Sequence, residues 1–202
     1  MLKDSLVTSK FDLRATIRFI LTSETYQASS ATMPSNRSDV RFFSHYSARR
    51  LPAEVLLDAL TSVTGVPEKF DGYPIGVRAI QVPDPASHSG FLKMFGSSER
   101  VSACACERTG DVTLPQLLSL QNGEQLLGKI ADKKGSLASL LKSEPDDAKL
   151  VDQLYRLALV RSPGEQEKQT VLGQLKGEGS REEKFRDLLW ALLNSKEFAF
   201  NH

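Results

Sequence analysis

The sequence predicts a mainly α fold: an irregular helical domain with long loops and at most a minor β element around residues 77–82. Three observations lead there. From residue 114 onward, apolar residues recur at helical spacing behind capping signals. Upstream, residues 52–64 place Val55, Leu56, Ala59, Leu60 and Val63 on one helical face. Between these regions, residues 66–90 are so punctuated by proline and glycine that no long helix fits.

The elements follow in order. A helix is expected over residues 11–23, where Asp12 supplies a cap and Leu13, Ile17, Ile20 and Leu21 form one stripe. Residues 25–39 are rich in Ser, Thr, Asn and Pro and read as an extended loop. Asn36-Arg37-Ser38 fits the glycosylation acceptor pattern, which is short enough to arise by chance. In the helix over 52–64, Pro52 suits the first helical position, because the donor it lacks is not needed there. Leu51 is then the cap position, Glu54 the third helical residue, and Gly65 the stop. Residues 77–82 (VRAIQV) read as one short strand, and 91–95 as a small apolar knot ended by Gly96.

Residues 98–123 are irregular, hold both cysteines, and run into a short helix over 114–121. Beyond them come helices over 124–132 and 136–142, the second capped by Ser136. The next starts at Asp146 or Asp147 and runs to about residue 160, with Leu150, Val151, Leu154, Leu157 and Ala158 inward. Ser162-Pro163-Gly164-Glu165 and Ser180-Arg181-Glu182-Glu183 both read as capping boxes. The last helix, to about Ser195, is apolar on most sides between Leu188 and Leu193 and belongs at the centre of the core. Tyr155, Trp190, Phe198 and Phe200 read as core aromatics. The whole is expected to be one helical domain over 1–202 with a sub-boundary near 131–135.

Composition narrows the function classes. With 202 residues, 40% hydrophobic and 25% charged, the chain can bury a core without staples and is not expected to be disordered. Its formal net charge is +1 with no basic block, so nucleic acid is not an expected partner. No segment approaches the ~18 apolar residues that span a bilayer, and MLKDSLVTSK lacks the apolar run of a signal peptide.

The residues that could carry chemistry are few. Cys104 and Cys106 are separated by one residue and followed by Glu107, whereas a haem attachment site needs two between and a histidine after. Zinc would need four ligands, and His45, His88 and His202 are scattered. A bridge between cysteines this close would be strained. The plainest reading is two thiols acting as small hydrophobes, with a redox role as the alternative. Glu54 and Asp58 lie one helical turn apart and could divide acid and base duties, but Arg49 and Arg50 just upstream favour a simple ion-paired stripe. Arg49, Arg50, Glu54, Asp58, Cys104, Cys106, Glu107 and Arg108 therefore make up the candidate polar cluster, with no catalytic, cofactor or metal residue assigned.

Several strings together carry a family resemblance. They include Thr25-Tyr26-Gln27-Ala28-Ser29-Ser30, Arg49-Arg50-Leu51-Pro52-Ala53-Glu54, Val63-Thr64-Gly65-Val66-Pro67 and Cys104-Ala105-Cys106-Glu107-Arg108. Arg161-Ser162-Pro163 and the terminal Leu189-Trp190-Ala191-Leu192-Leu193-Asn194-Ser195-Lys196-Glu197-Phe198 complete the set. In these the chain resembles, over essentially its whole length, the C-terminal part of the planctomycete-type domain of unknown function family 1553. Thr113-Leu114-Pro115-Gln116 departs mildly from the family's frequent Thr-Pro-Leu-Gln or Leu-x-Gln-Ala pattern.

The resemblance implies an extracytoplasmic module, periplasmic or at the cell surface, within a large exported protein. It implies that the chain begins inside the domain. A cytochrome-c-like region with haem c, a further domain and a signal peptide would then lie upstream. It carries over no catalytic residue. Two readings follow. One is a non-catalytic interaction or structural module that packs against those upstream domains and helps present them to a protein or polymer partner at the cell surface. The other is an accessory domain lining the site of a redox or hydrolytic enzyme that acts on an extracellular substrate. Convergence of the polar cluster in one concave pocket would favour the second.

Overall fold

A computed structural model describes residues 1–39, 41–83, 89–96 and 123–201, and the mainly α expectation holds. The described residues contain ten α-helices, one 3-10 turn and one two-stranded sheet. The chain divides into two compact units. The first comprises Met1–Arg49 with Phe200–His202, and the second Arg50–Ala199. Residues 131–135 lie inside the second.

In the first unit, α1 (Leu2–Thr8) and α2 (Leu13–Leu21) pack on each other. Helix α1 is seven residues with no side-chain cap bond, too short and unmarked to stand out in the sequence. Helix α2 starts as expected: the Asp12 carboxylate accepts from the Arg14 and Ala15 backbone N–H at 2.8 and 3.1 Å. A polar loop follows, in which Asp39 accepts from Ser44 Oγ and from the backbone N–H of Phe42, Ser44 and Arg41. Those donors, the Ser44 hydroxyl first, hold its carboxyl below the usual carboxylate range. No described residue of this unit is buried. The sheet pairs β1 (Arg49–Arg50) with β2 (Phe200–Asn201).

The second unit holds the core. Helix α3 (Ala53–Thr64) ends at Gly65 in the left-handed conformation, φ 68°. Its cap is Pro52 rather than Leu51, which moves Glu54 from third helical residue to second. The buried face is Leu56, Leu57, Leu60 and Val63, rotated slightly from the expected stripe toward Leu57, and Glu54 is buried with it at 2% exposure. Gly65 is required for space as well as backbone: a Cβ there would lie 2.5 Å from Ser136 Oγ.

The strand expected over 77–82 is a 3-10 turn, Ala79–Gln81. A strand needs a neighbour to take its backbone bonds. Here the Asp58 carboxylate takes two of them instead, from Ala79 N–H at 2.7 Å and Ile80 N–H at 3.4 Å. The knot at 91–95 is a one-turn helix, α4 (Gly90–Met94), started by Ser89 and closed by the stacked rings of Phe91 and Phe95, 4.1 Å apart.

Five more helices complete the sequence order: α5 (Glu124–Ile130), α6 (Ser136–Ser143), α7 (Asp147–Leu159), α8 (Glu165–Gln174) and α9 (Arg181–Leu193), with the short α10 (Lys196–Ala199) after them. Asp146 and Ser180 cap α7 and α9 as expected. Two caps differ. Helix α6 is capped by Gly135, where a Cβ would lie 3.0 Å from Thr64 O and 3.1 Å from Asp132 O, and Ser136 becomes the first helical residue. Helix α8 is capped by Gly164 with Glu167 reaching back to its N–H at 2.7 Å, so the box begins two residues later than Ser162. The Ser162 hydroxyl is spent on Arg156.

Two helices organise this unit. Helix α3 packs against the 3-10 turn, α4, α5 and α6, and α9 packs against α5, α6, α7 and α10. Helices α5 and α6 thus share both organisers. The expected central position of the last long helix holds: Phe185, Leu189, Leu192 and Leu193 are buried. Of the aromatics, Tyr155 and Phe198 are buried, while Trp190 and Phe200 are half-buried.

Candidate functional site

Of the polar cluster, Arg49, Arg50, Glu54 and Asp58 lie among the described residues. Cys104, Cys106, Glu107 and Arg108, and the helix expected over 114–121, lie outside them. Arg49 is exposed and uses its backbone N–H on Asn201 Oδ1. Arg50 donates to the Phe95 carbonyl at 3.1 Å and lies over the Phe95 ring, 5.6 Å from its centroid. That ties the start of α3 to the end of α4, and the burial it entails pulls the guanidinium pKa down. Glu54 is enclosed in the core of the same helix.

Asp58 faces elsewhere. Besides capping the 3-10 turn, it pairs with Arg78 Nε at 3.3 Å. Asp58 and Arg78 line a cleft of about 430 Å³ with Thr61, Ser62, Pro67, Glu68, Gly76 and Val77. Both acids there are occupied. Glu68 accepts from Gln125 Nε2 at 3.0 Å and pairs with Lys129 at 3.1 Å. Lys129 is itself buried and also donates to Val66 O.

The strongest charge constellation was not singled out from the sequence. Arg161 grips two carboxylates: Nη1 and Nη2 reach Glu167 at 2.8 and 2.9 Å, Nε and Nη2 reach Glu197 at 2.5 and 2.7 Å. Its plane also lies over the Tyr155 ring, 5.6 Å from the centroid. The one local sign was an acid three residues past Gly164; Glu197 is 36 residues away and no local rule points to it. The two acids push the Arg161 pKa up. Arg161 first, then the Gly164 N–H, holds Glu167 down at about 2. The unfolded chain therefore binds a proton on Glu167 at higher pH than the folded chain does. The stabilisation is present above pH 4.5 and is lost as pH falls from 4.5 toward 2. Denaturation midpoints followed through that window are expected to fall less steeply in Glu167→Gln than in the parent chain; identical slopes would contradict the assignment.

Two further concavities lie on this unit. One, about 390 Å³, lies against α5, α6 and α9, with Ile130, Leu137, Leu141, Lys133, Lys142 and Arg181 among its walls. Arg181 is held there, donating to Leu141 O, Glu144 O and Asp147 Oδ1. The other is a broader groove against α5, α8 and α9, whose walls include Trp190.

A family model described as protein of unknown function (DUF1553), PSD1, matches residues 1–175. The chain belongs to this family. No curated protein and no solved structure matches it. The DUF1553 match runs from α1 through the end of α8, so the terminal string from Leu189 to Phe198 lies past it. Within this DUF1553 chain, no group of three or more His, Cys, Asp or Glu among the described residues is arranged to hold a metal ion. The Cys104-Ala105-Cys106-Glu107 spacing does not fit covalent haem. No helix among the described residues is long and apolar enough to cross a membrane.

Proposed function

We infer that this DUF1553 chain is a non-catalytic interaction module of a larger exported, cytochrome-associated protein, and that its partner is the upstream part of the same polypeptide. The observation that carries this reading is the surface of α2. Leu13, Ile17, Ile20 and Leu21 are 67, 54, 39 and 42% exposed, and Phe11 and Phe19 beside them are open as well. The helix is amphipathic yet buries nothing. A helix of nine residues gains most of its stability from packing its apolar face, so this face calls for a covering surface. Haem c, in this reading, sits in the upstream region and uses no residue of this chain.

The test compares the chain alone with the full-length protein. Hydrogen exchange over residues 13–21 is expected to be slow in the full-length protein and fast in the chain alone. The chain alone should self-associate in ultracentrifugation, and Ile17→Asp should abolish that association. A monomeric isolated chain whose α2 exchanges at the same rate in both contexts would overturn the reading.

The second reading, an accessory domain lining an enzyme site, draws on the cleft beside Asp58, Glu68 and Arg78. Its acids are already bonded, which weighs against acid–base chemistry there.

A further inference from the structure

The three concavities differ in how their charges are matched. In the cleft beside α3, Asp58 pairs with Arg78 and Glu68 with Lys129. In the groove against α5, α8 and α9, Glu178 and Asp187 face as many cations, Lys184 and Arg186. The concavity against α5, α6 and α9 is different. Its walls carry Lys133, Lys142 and Arg181 against Asp132 and Glu182, a surplus of one positive charge. Both acids have partners of their own: Asp132 accepts from the Lys134 N–H at 2.7 Å, and Glu182 pairs with Arg186 at 2.8 Å. Arg181 is paired with Asp147. The ammonium groups of Lys133 and Lys142 are left over. Both side chains are exposed, and neither makes a hydrogen bond or an ion pair among the described residues.

The rest of the wall is apolar. Ile130 and Leu137 are buried, and Ala131, Ala138 and Leu141 complete the lining. On α6, Leu137 and Leu141 are four residues apart, and so are Ala138 and Lys142. Residues at that spacing stand one above the other on a helix, so α6 offers two adjoining stripes, one apolar throughout and one ending in an ammonium group. Lys133 follows the end of α5 and supplies the second. The volume, about 390 Å³, is that of a small-molecule site. Such a pocket suits a ligand with a hydrocarbon body and a single negative charge. Covering the floor removes apolar area from water, and a carboxylate forms charge-assisted hydrogen bonds with the ammonium groups. A neutral ligand would leave both cations unanswered, and a cationic one would add to the surplus.

We propose that this pocket binds a small monocarboxylate with a hydrocarbon body, whose apolar part rests on Leu137, Ala138 and Leu141 and whose carboxylate pairs with Lys133 and Lys142. The pocket shares no residue with the α2 surface and stands or falls separately from the function proposed above.

The experiment titrates the full chain with sodium octanoate at neutral pH and low salt, read by calorimetry and by the methyl resonances of Leu137, Ala138 and Leu141. A saturable response is expected, with a dissociation constant on the order of 1 mM or below. Octanamide, which has the same body and no charge, should bind about tenfold more weakly or not at all. The double variant Lys133→Gln/Lys142→Gln should weaken octanoate about tenfold or more. Because both positions are exposed, that variant should keep the parent melting temperature. Ala138→Leu, which fills the floor and leaves the charges in place, should weaken octanoate as well. No response to octanoate up to about 10 mM, equal affinity for octanamide or octylammonium, or binding unchanged in the double lysine variant overturns the proposal. An equal response to inorganic phosphate overturns it too, and reduces the pocket to a surface that attracts any anion.

Discussion

Glu54→Ala is expected to destabilise the chain by about 3–5 kcal/mol, read from urea denaturation at neutral pH. Glu54 is the second residue of α3 and only 2% exposed, an acidic side chain set in the core. A carboxylate survives at such a depth only when its surroundings answer it, and Glu54 does take part in a polar interaction. The start of α3 adds to this. Pro52, the cap, has no side-chain acceptor, so the first backbone N–H groups of the helix meet their most favourable neighbour in an acid of the first turn. Truncation to alanine removes the carboxyl group and leaves those groups facing an apolar core. Glu54→Gln keeps the shape and one acceptor and is expected to cost less, on the order of 1–2 kcal/mol. The role assigned is structural. If Glu54→Gln left the melting temperature unchanged but abolished a partner interaction of the full-length protein, that assignment would be wrong.

Phe185→Ala is expected to cost about 3–5 kcal/mol by the same measurement. Phe185 is 1% exposed on α9, the helix that touches α5, α6, α7 and α10. Its ring also carries the Arg181 guanidinium, 5.4 Å from the centroid. That arginine closes the join between α6 and α7 by bonding Leu141 O, Glu144 O and Asp147. Truncation therefore opens a cavity and removes the surface on which the brace rests. Phe185→Leu, which fills most of the volume, should recover a large part of the loss while leaving the cation without its ring. A cost below about 1 kcal/mol for the alanine variant would mean that α9 is not central.

What the sequence determined by itself was the set of helices whose ends are written in four or five consecutive residues. Asp12, Asp146 and Ser180 cap where their spacing to the first free N–H groups places them. Gly65 stops α3 because its left-handed turn suits a residue without a Cβ. The apolar stripes of α3, α7 and α9 came from the helical period alone. Tertiary structure decided everything that depends on a partner far along the chain. Residues 77–82 turn rather than extend because the Asp58 carboxylate, 21 residues before Ala79, takes the N–H groups a neighbouring strand would have taken. The α8 cap moved to Gly164 because Ser162 bonds Arg156 and its carbonyl accepts from Arg161. The pairing of Arg161 with Glu197 and the burial of Glu54 have no local signature at all. A capping oxygen reaches only its own turn, whereas an ion pair or a buried charge is stable only once distant segments have excluded water from it, and one stretch of sequence cannot show which segments those are.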